Sequence, residues 1–133
     1  MMAACAAAAG GHTVRLLEKN EKLGKKIYIT GKGRCNFTNA CDFNTFMGNV
    51  VSNPKFMFSS LRSFDQQAVT DFLEANGCRT KVERGMRAFP LSDHASDVTK
   101  ALERFLRSYN VKVDLCTEVI EVRSIRKTKN EAI

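Results

Sequence analysis

The chain has 133 residues, 44% hydrophobic and 26% charged with only two prolines, which permits one packed domain and excludes a disordered tail, a collagen, a mucin or a coiled coil. Twenty-one Lys and Arg against 14 Asp and Glu give a net charge of +7, favouring anionic partners such as phosphates, nucleotides, nucleic acid or a membrane surface without choosing among them. The five scattered cysteines form no C-x-x-C pair and suit a reducing cytoplasm, two histidines outside any close Cys/His spacing predict no metal site, and no apolar run approaches the ~20 residues of a membrane span.

The opening alanine run, Ala3 to Ala9, predicts a short helix that packs closely because its side chains are small, with Gly10-Gly11 as a left-handed stop. His12 to Glu18 is a brief β-branched and apolar run ending in an acid, which predicts a buried strand with a carboxylate at its carboxyl edge. Together these match the second half of a dinucleotide-binding βαβ unit, in which that acid accepts hydrogen bonds from a ribose hydroxyl. An ordinary helix and strand with a solvated Glu18 is the other reading of the same residues.

After a polar, glycine-punctuated stretch from Lys19 to Lys26 comes the run Gly31-Lys32-Gly33-Arg34-Cys35-Asn36-Phe37-Thr38-Asn39. Its glycines allow close backbone approach or positive φ, and Lys32, Arg34, Asn36, Thr38 and Asn39 offer donors to phosphate or carbonyl oxygens. A plain surface turn has the same composition.

From Asn53 the signals turn helical. Asn53 as cap and Pro54 in the first turn predict one helix, with Met57, Phe58 and Leu61 on one side. The capping box Ser63-Phe64-Asp65-Gln66 and the stop Asn76-Gly77 predict a second. The pair reads as a helical cover over about residues 53–77, its phenylalanines serving the core rather than a ligand. Thr80–Glu83 and Arg87–Phe89 predict a hairpin around Arg84-Gly85. Ser92 or Asp93 then caps a helix whose stripe is Ala95, Val98, Ala101, Leu102, Phe105 and Leu106. Asn110 closes it, and Val111, Val113 and Leu115 alternate as a half-buried strand. Glu118 to Ile125 predicts a further β run, and Arg126 to Glu131 a turn.

The stretch Leu17-Glu18-Lys19-Asn20-Glu21-Lys22-Leu23-Gly24-Lys25-Lys26, the Gly31 to Asn39 run, and Gly85-Met86-Arg87-Ala88-Phe89-Pro90-Leu91-Ser92-Asp93-His94-Ala95-Ser96-Asp97-Val98 together resemble the bacterial HI0933-like flavoproteins. These are also described as the BaiN/YhiN or aminoacetone-oxidase-like NAD(P)/FAD-dependent oxidoreductases. The similarity runs nearly end to end, and separate motifs in the right order make it specific. It implies an α/β fold, a partial FAD/NAD(P)-binding Rossmann-like domain of the glutathione-reductase type over residues 1–133. The implied cofactor is FAD, with NAD(P)H as the electron donor and a small molecule as substrate.

By the same resemblance, Glu18 holds the adenosine ribose with Lys19 beside it. Lys26 and the loop carrying Gly31, Gly33, Arg34, Cys35, Asn36, Thr38 and Asn39 run along the pyrophosphate and flavin. Thr117 to Val119 pass the adenine, Val119 through its backbone. Cys35 is read as a packing or positioning residue, since no second cysteine stands at C-x-x-C spacing.

No glycine fingerprint precedes the first helix, so the chain is expected to be a fragment that begins inside that helix and stops before a returning strand. A parallel sheet without its central strand leaves ladder groups unpaired, at on the order of 1 to 3 kcal/mol each if buried. The chain alone is therefore expected to bind FAD weakly or not at all, with little or no activity, and its strand edges invite self-association. The competing readings are a small basic nucleic-acid-binding module and an inert truncated gene product. Against the former, the basic residues are dispersed among acids, and no RRM, KH or helix-turn-helix pattern is seen.

Overall fold

A computed structural model describes residues 1–124. The alanine run forms α1 (Met2–Ala9), whose buried face, Ala4, Cys5 and Ala8, is small enough for close approach to a neighbouring helix. Gly10 keeps a helical φ of −76°, and it is Gly11, at φ 83°, that makes the left-handed turn. The strand that follows, β1 (Arg15–Leu17), is shorter and less buried than expected, with Leu17 42% exposed.

Between β1 and the hairpin lie elements with little local signal. They are α2 (Lys25–Ile29), a 3-10 turn (Thr30–Gly33), β2 (Thr38–Asn39) and α3 (Phe43–Gly48), the last capped by Asp42, whose carboxylate accepts from the Asn44 and Thr45 amides. The cover then appears as α4 (Pro54–Ser63) and α5 (Gln66–Ala75). Two expected caps are corrected. Asn53 lies in left-handed backbone (φ 48°) and makes no side-chain cap bond, so Pro54 alone marks the start of α4. Asp65, not Ser63, caps α5 by accepting from the Ala68 amide at 2.8 Å, because Ser63 is still inside α4. The phenylalanine expectation holds in part. Phe72 packs on Phe105 at 5.0 Å between ring centroids, but Phe56, Phe58 and Phe64 are exposed.

The hairpin forms as β3 (Thr80–Glu83) and β4 (Arg87–Pro90), antiparallel, with β2 added on the other side of β4. Helix α6 (Ala95–Ser108) buries the expected stripe together with Thr99, while Phe105 stays half-buried. Neither Ser92 nor Asp93 occupies its cap position, which falls to His94. Ser92 instead accepts from the His94 amide and donates to the Asp97 carboxylate at 2.6 Å. Asn110 turns the chain at φ 53° into β5 (Lys112–Asp114).

β5 pairs with β1 in parallel, in the register Arg15↔Lys112, Leu16↔Val113, Leu17↔Asp114, and an Arg15–Asp114 ion pair lies across it. The architecture is mixed α/β. Its core runs from α1 and Leu23 through Cys35, Leu73 and Cys78 to α6, which packs against α1, α2, α5 and β4. Residues 118–124 form no strand, contrary to the alternation there; Ile125 and the expected turn from Arg126 to Glu131 lie outside the described residues. Among the described residues no helix is long and apolar enough to cross a membrane.

Candidate functional site

Because β1 and β5 are parallel, their carboxyl ends open on one side, where ligands of open α/β sheets are held. Glu18 is the first residue beyond β1. Its amide donates to the Asp114 carbonyl at 2.9 Å, prolonging the ladder by one step. The chain leaving β5 then turns at Cys116 (φ 52°) and folds across the end of β1, the Thr117 amide donating to the Glu18 carbonyl and the Cys116 amide to the Asn20 carbonyl. Glu18, Lys19 and residues 116–119 are thereby brought together from opposite ends of the sequence. Lys19 and Glu118 stand 3.8 Å apart, a solvent-exposed pair of small energetic weight. Val119 is 55% exposed beside them.

The Glu18 carboxylate is itself oriented. Oε1 accepts from the Asn20 amide at 2.9 Å and from the Asn20 side chain, and these bonds hold its pKa below the ordinary 4.5. Oε2 has no hydrogen-bond partner among the described residues.

The Gly31 to Asn39 loop forms a second group, held against β4 with Gly31, Lys32 and Asn36 exposed. Gly31, Lys32 and Gly33 are left-handed at φ 55°, 57° and 86°, and Cys35 is left-handed at 60°. A side chain at Gly31 would stand 2.9 Å from the Asn36 amide nitrogen, so glycine is required there. The Arg34 guanidinium bonds Asp93 at 2.6 and 2.8 Å, pairs with Glu83, and stacks 4.3 Å from the Phe89 ring centre. Asn36 donates its side-chain amide to the Thr38 and Ala88 carbonyls, and Asn39 donates to the Gly85 carbonyl. Thr38 pairs with Ala88 in the sheet. The Arg34, Asn36 and Asn39 side chains are thus engaged with protein while Lys26 and Lys32 are exposed, and of the loop amides those of Arg34, Cys35 and Phe37 already donate to the Gly31, Thr30 and Ala88 carbonyls.

Cys35 is buried, and burial pushes its thiol pKa up, as it does for Cys78, to about 11. Both thiols are protonated at neutral pH, the state of a packing residue rather than a nucleophile. Among the described residues no hydrogen bond or ion pair joins the Glu18 group to the Arg34 group. Asn20, Lys81, Glu83, Phe89 and Asp93 are not among the site residues expected from the sequence. Asn20 could have been found as an Asx-type neighbour two residues from Glu18, but the Arg34 pairs span 49 and 59 residues and leave no local trace.

A parallel strand pair, a helix leading into its second strand and an oriented acid at its carboxyl edge define a Rossmann-type α/β domain. The chain belongs to the HI0933-like family, whose Rossmann-domain model matches residues 1–132. It is 40% identical over 116 residues to a 3-dehydro-bile acid delta(4,6)-reductase of Clostridium scindens, an alignment covering 85% of this chain and 27% of that protein. It is also similar to the ribosomal RNA dihydrouridine synthases of Escherichia coli (33% over 121 residues, 89% of this chain and 29% of the relative) and Haemophilus influenzae (28% over 117 residues, 87% and 28%). The chain spans less than a third of the length of these relatives.

Proposed function

We propose that this chain is the FAD-binding portion of a flavin-dependent oxidoreductase that acts in the cytoplasm. Glu18 receives the adenosine ribose hydroxyls, with Lys19 at its side. Thr117 to Val119 pass the adenine, and Val119 contributes backbone contacts. Lys26 and the Gly31–Asn39 loop border the pyrophosphate and flavin. The observation that carries the reading is the meeting of Glu18 with residues 116–119 at the carboxyl ends of parallel strands 97 residues apart in register.

The residues fit the adenosine half of the cofactor well, since an oriented carboxylate is a strong acceptor for a ribose diol. Toward the pyrophosphate the fit rests on Lys26 and Lys32, because Arg34, Asn36 and Asn39 are otherwise engaged. FAD, when bound, supplies the hydride chemistry, with NAD(P)H as the electron donor. This chain holds and orients the nucleotide. The relatives' names mention a bile acid in one case and ribosomal RNA in the others, so family membership does not choose a substrate.

The test is an amide NMR titration of the chain with ADP, FAD and FMN. ADP and FAD are expected to bind weakly and shift residues 18–20 and 116–119, while FMN, which lacks the adenosine, leaves them unmoved. Loss of a charged acceptor from a hydrogen bond costs ~1.5 to 3 kcal/mol, so Glu18→Ala is expected to weaken ADP binding by about tenfold or more. Shifts that fall elsewhere, or equal binding of FMN, would remove the proposal.

A further inference from the structure

Arg34 is the loop residue whose chemistry best suits a phosphate, yet it is held on three sides by protein. Nε and Nη2 both donate to Asp93 Oδ1, Nη2 also reaches Glu83, and the guanidinium plane covers Phe89. Lys81 closes the ring from the far side, 2.8 Å from Asp93 Oδ2 and 3.3 Å from Glu83 Oε1. Two cations and two carboxylates make the cluster neutral. The four residues come from the loop, from β3 and from the turn between β4 and α6.

We propose that Asp93 and Glu83 are positioning residues that hold Arg34 so that the Gly31–Asn39 loop is locked on β4 and meets a ligand in one preset shape, not through the Arg34 side chain. The ligand part of this inference rests on the proposed function; the lock does not.

Backbone strain supports it. Lys32 and Cys35 hold left-handed φ values without being glycine, and such conformations persist only where the surroundings over-determine them. The surroundings here are close-packed and hydrogen-bonded. Phe89 is 3% exposed, and the Cys35 and Phe37 amides on either side of the loop donate to the Thr30 and Ala88 carbonyls. A Gly31 side chain would meet both Asn36 and the Phe89 ring, so loop and ring are already in contact.

Charge balance supports it as well. Were Arg34 to swing out to a phosphate, Glu83 and Asp93 would lose the guanidinium that both of them bond and keep Lys81 as their one ion-pair partner among the described residues. The carboxylate pKa values are lowered and those of Arg34 and Lys81 raised, so all four groups are charged at neutral pH and the lock is closed.

The test uses amide hydrogen exchange and ADP binding on the 133-residue chain and its Asp93→Asn, Glu83→Gln and Arg34→Lys variants. In the first two, exchange of the Cys35 and Phe37 amides is expected to quicken by roughly fivefold while α6 amides keep their rates, and ADP is expected to bind less tightly. Arg34→Lys keeps the charge but loses the planar fork, and the same amides are expected to quicken. In the unsubstituted chain, 1 M NaCl is expected to accelerate loop exchange selectively, which covers the case of a variant that fails to fold. Unchanged loop exchange, an Arg34→Lys chain indistinguishable from the unsubstituted one, or tighter ADP binding in Asp93→Asn would overturn the proposal. Exchange needs no ligand, so failure of the lock is seen separately from failure of nucleotide binding.

Discussion

At Glu18 the geometry is prepared before any ligand arrives. The Asn20 amide and side chain fix Oε1, and because they stabilise the anion they depress the carboxyl pKa from its ordinary 4.5. A depressed folded-state value means that the stabilisation is complete above the unfolded value and is lost as pH falls through the folded one. Carboxyl-carbon NMR is therefore expected to give Glu18 a titration midpoint below 4.5, and Asn20→Ala is expected to bring it back toward that value. A midpoint at or above 4.5 in the unsubstituted chain would show that the acceptor is not preset.

At the scale of elements, the boundary between α4 and α5 separates two candidate caps. Asp65 accepts from the Ala68 amide, whereas the Ser63 hydroxyl donates back to the Ser59 carbonyl within α4. Asp65→Ala is expected to lower stability by about 0.5 to 2 kcal/mol in urea unfolding, and Ser63→Ala to change it by no more than ~0.5 kcal/mol. Reversal of that order would restore the capping box suggested by the sequence. The same contrast explains which elements were legible. α5, α6, the hairpin and β5 carry periodicity or turn chemistry within their own residues, and each lies close to its expected place. β2 is two residues long and exists through pairing with β4, its partners 48 and 50 positions further on, and α2 has only five residues. Residues 118–124 fail the other way. Val119, Ile120 and Val122 are exposed, and alternation does not make a strand where, among the described residues, no partner strand lies alongside. In the candidate site, Glu18 was legible because an acid ending an apolar run is a local pattern. The engagement of Arg34 was not, since two of its three partners are carboxylates brought in by tertiary structure.

Across the whole molecule α6 is the shared wall. It packs against α1, α2, α5 and β4, and the core is continuous through it, with Leu16 and Val113 of the parallel pair against the same cluster. Two small sheets of two and three strands have little independent stability, so their persistence depends on this common helix. Unfolding is accordingly expected to be one transition, with far-ultraviolet dichroism, tyrosine fluorescence and the NMR signals of β1 and β3 lost together. Leu102, 5% exposed at the middle of the buried stripe, tests the coupling. Leu102→Ala removes core volume at a cost of about 2 to 5 kcal/mol. If α6 joins the two sides, that loss moves the β1 and β3 transitions to lower urea by the same amount. If the sheets melt at different urea concentrations, or only one responds to the substitution, then α6 does not couple the Glu18 edge to the Arg34 loop.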